Sequence, residues 1–215
     1  KGVADWCQGT KARVGVDGEG ETTPNGGTCV IIGNGTVDGN VYGGGEVGRV
    51  EKNTSVTIGL EPGKGTPVIK GNVFGAGKGE RTHGYSALVR GKSTVTVQGD
   101  AKVLKNVYGG GEIASVGRYK VKTAEGVPSD APDWVSIGMP YSLKNPDSES
   151  GKCVVIVKDN AEIGPEEGMQ MKRAGGPDDM GHVFGAGKGV LPYEGYAANE
   201  TPWRMPPSNV KEEYG

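Results

Sequence analysis

The sequence predicts an all-β protein wound as a β-solenoid, and three observations carry that reading. First, an eight-residue signature occurs four times. It reads Gly-Asn-Val-Tyr-Gly-Gly-Gly-Glu at 39–46, Gly-Asn-Val-Phe-Gly-Ala-Gly-Lys at 71–78, Lys-Asn-Val-Tyr-Gly-Gly-Gly-Glu at 105–112 and Gly-His-Val-Phe-Gly-Ala-Gly-Lys at 181–188. Second, apolar and polar residues alternate with period two ahead of each copy, the mark of half-buried strands. Third, the apolar residues are biased toward Val and Ile, with Leu only at 60, 88, 104, 143 and 191. β-branched residues fit pleated surfaces better than helices. The simplest form is a right-handed parallel β-helix with loop excursions. Repeated antiparallel hairpins, in a β-prism or a sandwich, are the competing fold.

Taken in order, residues 1–27 read as an irregular N-terminal segment or a partial rung. Within them, 13–16 (Arg-Val-Gly-Val) form a candidate strand and 17–27 carry turn chemistry. The repeat region spans 28–189. Residues 28–46 and 94–112 align without a gap, each with two alternating pieces separated by a Gly-Asn or Gly-Asp corner. The second copy presents Val56 and Ile58, an insertion around 61–65, then Ile69 and Val73. The fourth presents Val155, Val157 and Ile163, with an insertion at 164–180 ahead of Val183. Insertions at corners are what stacked coils tolerate, because corners project from the stack. An excursion at 113–151 contains Pro128, Pro132, Pro140 and Pro146, and 190–215 read as an irregular, Pro-rich C-terminal segment.

Like positions on successive coils become columns. Val41, Val73, Val107 and Val183 form the reference column, with steps of 32, 34 and 76 residues. A step of that size is either one three-sided turn with a loop or two short turns. Asn40, Asn72, Asn106 and His182 form a second column. Asn and His enter the left-handed region more readily than most residues, so this position is expected to have positive φ. Stacked Asn side chains can also bond along the column. Tyr42, Phe74, Tyr108 and Phe184 give an aromatic column, and the glycines after them let backbones approach closely. Glu46, Lys78, Glu112 and Lys188 alternate in sign, which favours the stacked order and penalises slipped ones.

The chain has 215 residues, 41 of them Gly, and a net charge of -2. That balance gives no reason to expect nucleic acid or an anionic membrane surface as partner. No window is apolar enough to span a bilayer, and no signal peptide is recognisable. The start at Lys1 reads as that of a mature or excised segment. Cys7, Cys29 and Cys153 make no CxxC or zinc pattern. They read as small buried hydrophobes, with one Cys7–Cys29 or Cys29–Cys153 bridge as the alternative.

Motifs that invite chemistry have structural readings. The stretch 75–78 (Gly-Ala-Gly-Lys) lacks the Ser/Thr and the helix of a phosphate loop, and it is one of four copies. Gly43, Gly45 and Gly48 match the dinucleotide spacing without its βαβ setting. His83 and His182 are the only histidines, too few for a zinc triad. No catalytic residue and no metal ligand is assigned. Acids gather in the excursions, at Glu166 and Glu167, Asp178 and Asp179, Asp147 and Glu149. They read as solvated loop charge. A glycosidase pair or a weak Ca2+ site are the alternatives. No cofactor is expected.

The candidate ligand-binding residues are the aromatics outside the repeats: Trp6, Tyr119, Trp134, Tyr141, Tyr193 and Trp203. Ring faces carried by loops on a rigid scaffold can grip sugars or a partner surface. The alternative is that these rings cover the flank of the stack.

The unit Thr-Val-Thr-Val-x-Gly followed by Asn-Val-Tyr-Gly-Gly-Gly resembles the Gly-rich "NVYGGG" repeats of large secreted surface proteins of anaerobic gut bacteria. The resemblance covers roughly 28–189 apart from the excursions. It implies export to the medium or cell surface, a long repeat array, and an adhesive or glycan-related role, and it supplies no catalytic residues. The expected function is a structural or adhesive segment binding a polysaccharide or surface protein. A β-helix polysaccharide lyase or glycoside hydrolase is the alternative. No amphipathic helix is available to cap either end, so an end-to-end partner chain or neighbouring repeats are expected.

Overall fold

Period-two alternation over five residues places every second side chain on one face, and that face must be buried. The computed structural model describes residues 13–14, 26–79, 87–117, 151–165 and 180–189. It is all-β in these residues, and every strand pairing is parallel. The antiparallel-hairpin alternative is thereby excluded. Hairpins pair neighbours in sequence, whereas these strands pair with the equivalent strand one repeat away.

The strands are β1 (Arg13–Val14), β2 (Thr28–Ile32), β3 (Thr36–Val37), β4 (Val41–Tyr42), β5 (Arg49–Val50), β6 (Thr54–Ile58) and β7 (Val68–Ile69). They continue as β8 (Val73–Phe74), β9 (Ser93–Val97), β10 (Lys102–Val103), β11 (Val107–Tyr108), β12 (Cys153–Val157), β13 (Glu162–Ile163) and β14 (Val183–Phe184). Three four-stranded sheets result, ordered β12-β9-β6-β2, β13-β10-β7-β3 and β14-β11-β8-β4. Each repeat contributes one strand to each sheet. The repeats are therefore four stacked coils, starting at β2, β6, β9 and β12.

A fourth side completes the turn. β1 pairs with β5, Val50 bridges Val89, and Val89 bridges Val116, all parallel. The column Val14, Val50, Val89, Val116 thus runs one step out of phase, with Val14 below coil 1. One repeat is one turn, which decides between the two coil sizes the spacing allowed. Val116 lies within the 113–151 segment, so that segment opens with coil 3's fourth side.

The core is the inside of the stack. Val56 and Ile58, Val95 and Val97, Ile69 and Val103, and Val73 and Val107 are fully buried, and Val41 joins them. Val30, Ile32, Val37, Val155 and Ile163 pack against them from the outer coils. The register also corrects one alignment. Val30 lies over Val56 and Val56 over Val95, so Thr28 matches Ser93 rather than Thr94. The first corner of coil 3, residues 98–101, is one residue longer than that of coil 1, residues 33–35. A gapless register would have turned one strand's apolar set to the outside.

Candidate functional surface

The third sheet brings four of the predicted columns together. Val41, Val73, Val107 and Val183 lie in direct register, as do Tyr42, Phe74, Tyr108 and Phe184. Because successive side chains along a strand point to opposite faces, the valine points inward and the ring beside it outward. The rings stack nearly parallel, with centroids 5.0, 4.8 and 4.9 Å apart. Phe74 is completely buried between the two tyrosines. The hydroxyl of Tyr42 reaches past that coil and donates to a carboxylate oxygen of Glu112. Burial first, and then this bond, push the Tyr42 phenol up from 10.0 to about 12.

The Asn column bonds along the stack as expected, but without the expected positive φ. Among non-glycine described residues only Ala87 and Asp159 have positive φ, so Asn40, Asn72, Asn106 and His182 are not left-handed. Asparagine is present for its amide oxygen. Asn72 N–H donates to Asn40 Oδ1 at 2.8 Å, Asn106 N–H to Asn72 Oδ1 at 3.1 Å, and His182 N–H to Asn106 Oδ1 at 2.9 Å. Each side chain therefore satisfies a backbone donor one coil on, at a corner where the ladder is interrupted. His182 needs only its backbone for this, and its ring leans on Phe184 at 5.9 Å.

The alternating charges meet as expected. Lys78 Nζ lies 2.6 Å from Glu46 Oε1, and Lys188 Nζ lies 3.0 Å from Glu112 Oε1. The Lys78 ammonium holds the Glu46 carboxyl below the usual range. Lys70 does the same for Asp38, 2.7 Å away. Lys102 pairs with Glu162 at 3.1 Å. Asp100 accepts from the Asn160 side chain at 2.9 Å and from Gly63 N–H at 2.6 Å, and both bonds lower its pKa.

Two features were not read from the sequence. The inward-facing first residue of each first-sheet strand is a strut across the coil. Thr54 Oγ1 donates to the Gly75 carbonyl at 2.6 Å, and Ser93 Oγ donates to the Gly109 carbonyl at 2.6 Å. Thr28 Oγ1 does likewise to the Gly43 carbonyl. Cys153 holds this position in coil 4, and burial pushes its thiol up. A recurring Thr/Ser in the buried phase of the alternation was the available signal. The second feature is a buried ion triad on the fourth side. Glu51, with its side chain 1% exposed, lies 2.6 Å from Arg49 Nε and 3.0 Å from Arg90 Nη1. Breaking such a group leaves a buried charge uncompensated.

The candidate ligand-binding rings Trp6, Tyr119, Trp134, Tyr141, Tyr193 and Trp203 lie outside the described residues, as do the acids at 147, 149, 166, 167, 178 and 179. Among the described residues no three of His, Cys, Asp or Glu gather as a metal site. The cysteines correct the expectation of small buried hydrophobes: Cys29 is exposed and Cys153 half-buried, both thiols are free, and Cys7 lies outside the described residues. They belong to coils 1 and 4, about 14 Å apart at the usual strand spacing, which rules out the Cys29–Cys153 bridge. No family model, curated protein or solved structure matches the chain.

Chemically, this surface is committed to itself. The ring faces are occupied by other rings, and the carboxylates of Asp38, Glu46, Glu51, Asp100, Glu112 and Glu162 are each engaged by a partner, most of them in a neighbouring coil. Such a wall can position loops rigidly. Among the described residues, the rings inside the stack offer no free face for a sugar, while Phe184 at its coil 4 end is exposed.

Proposed function

We propose that this chain is a structural, adhesive segment of an exported surface protein, holding a polysaccharide or a surface protein through loop aromatics. The observation that carries the reading is that the repeated side chains are spent on the next coil, through the Asn ladder, the ring stack and the hydroxyl struts. Residues committed in this way make a rigid stem, and a rigid stem gives loops a fixed place from which to bind. The likeness to secreted Gly-rich surface repeats supports the setting outside the cell.

The test is affinity electrophoresis of the purified chain against a polysaccharide panel, with released reducing ends measured in parallel. Retention without release, lost in Trp134→Ala or Trp203→Ala, supports the proposal. Release of reducing ends would replace it with a lyase or hydrolase. Equal retention of both variants would remove these rings from the account.

A further inference from the structure

Edge strands carry backbone donors and acceptors ready to pair with another chain. The described stack ends on two such edges, β12, β13 and β14 on one side and β2, β3 and β4 on the other. On the coil 4 end, Val157, Val183 and Phe184 are 43%, 48% and 41% exposed, although the equivalent Val97 and Val107 are fully buried and Tyr108 is nearly so. We propose that this end is an interface for a second copy of the chain, which seats its coil 1 on coil 4 so that copies stack head to tail. The proposal goes beyond the binding role above and holds whether or not the loops take a ligand.

Four observations argue for that occupant, the first two being the apolar and ring register and the charge column. Continuing the register puts Val30 and Ile32 of the second copy over Val155 and Val157, Val41 over Val183, and Tyr42 over Phe184. Apolar thus meets apolar, and the ring stack continues its Tyr-Phe alternation. The charge column ends on Lys188 and begins on Glu46, so the junction repeats the contact seen between Glu46 and Lys78. A slip by one coil would set Lys188 against Lys78.

The glycines give a third argument. A Cβ at Gly43 would overlap the Gly75 carbonyl oxygen, one at Gly75 the Gly109 carbonyl oxygen, and one at Gly109 the Gly185 carbonyl oxygen. Glycine is required at each because the next coil passes so close. At Gly185 an added Cβ meets nothing within 4 Å, and the residue is not among those with positive φ. Within the described coils nothing asks for glycine there. The Gly43 carbonyl of a stacked second copy would.

The fourth argument is the step at each end. β1 supplies a fourth side below coil 1, while the described part of coil 4 has its first three sides only. On stacking, β1 of the upper copy falls beside Val116 of the lower copy and completes that turn.

Sedimentation equilibrium over a concentration series, with zero-length carbodiimide cross-linking of mixed light and 15N-labelled chains, tests the idea. The expected result is a weight-average mass that rises with concentration above 22.2 kDa, and an inter-copy link joining Lys188 to Glu46. Within one chain these residues are three coils, about 14 Å, apart, too far for such a link. Gly185→Ala should keep the far-UV CD spectrum of the native chain and weaken association at least tenfold. Val183→Lys, which charges the same exposed end, should do the same. A chain that stays at 22.2 kDa at its highest soluble concentration, as it would if its own residues after 189 closed coil 4, overturns the proposal. So does association without the 188–46 link, or association that both variants leave unchanged.

Discussion

Replacing Gly75 with alanine probes the stacking where it is tightest. The new methyl would overlap Ser93 Oγ and the Gly109 carbonyl oxygen and lie 2.9 Å from Val95 Cγ2. All three belong to coil 3, so coil 3 must rise or Ser93 must rotate away. Overpacking of a filled interior costs ~1–3 kcal/mol. Rotation of Ser93 also breaks its 2.6 Å bond to Gly109, and a buried polar group left unpaired costs ~1–3 kcal/mol. The sum, ~2–6 kcal/mol, is a large share of the ~5–15 kcal/mol that holds an ordinary domain together. Gly39→Ala is the matched control, since its Cβ would have nothing within 4 Å, and a change within about 0.5 kcal/mol is expected. Urea unfolding followed by CD gives the global figure. Stacked repeats can open in pieces, so hydrogen exchange of the Gly75 amide, bonded to the Tyr108 carbonyl at 2.9 Å, gives the local one. Gly75→Ala unfolding within 0.5 kcal/mol of the native chain, with that amide equally protected, would refute the claim that close coil approach dictates glycine there.

Thr54→Val keeps the shape of the strut but loses the bond to the Gly75 carbonyl, and urea denaturation should register a loss of ~1–3 kcal/mol. Asn72→Ala removes the acceptor for Asn106 N–H; the exchange rate of that amide should rise sharply, while the amide of Val95, in the unaffected first sheet, should not change. Tyr42 should titrate near pH 12 in a phenolate absorbance titration, and Glu112→Gln should bring it down. Because the folded value lies above the ordinary phenol value of 10.0, the fold favours the neutral phenol, so its contribution is complete below about pH 10 and is lost as pH rises through 12. A Tyr42 that ionises at the ordinary value would contradict its half-buried bond to Glu112.

The third sheet was legible because its valine repeats letter for letter and the ring beside it alternates only between Tyr and Phe. Identical letters at 41, 73, 107 and 183 become one column in any stack, and the Glu/Lys alternation beside them has a direct electrostatic meaning. The fourth side was legible only in part: the candidate strand at 13–16 contains its first strand, β1, whereas Val50, Val89 and Val116 continue it through single short pairings that no repeated signature marks. Of the two reasons given for the Asn column, the left-handed backbone fails and the bonding along the column holds. Tolerance of left-handed backbone and a short amide acceptor both favour asparagine, and only the coordinates separate them. The struts were missed because Thr and Ser at a strand's start read as its polar, outward phase, while the register places Thr28, Thr54 and Ser93 on the inward one. The proposed ligand-binding rings have no repeat partner at all, so nothing in the columns bears on them.

The parallel pairing also fixes how this molecule would respond to mechanical load. Its ladder hydrogen bonds point along the stack axis, so tension applied between Thr28 and Gly189 pulls them apart in line, opening one layer before the next. A folded layer accounts for ~4.8 Å of length. Pulled straight, the 32 residues from Val41 to Val73 reach about 110 Å. A segment under strain would therefore pay out more than twentyfold its resting length in discrete steps, a sawtooth that single-molecule stretching would record, and would act as an extensible tether before it broke.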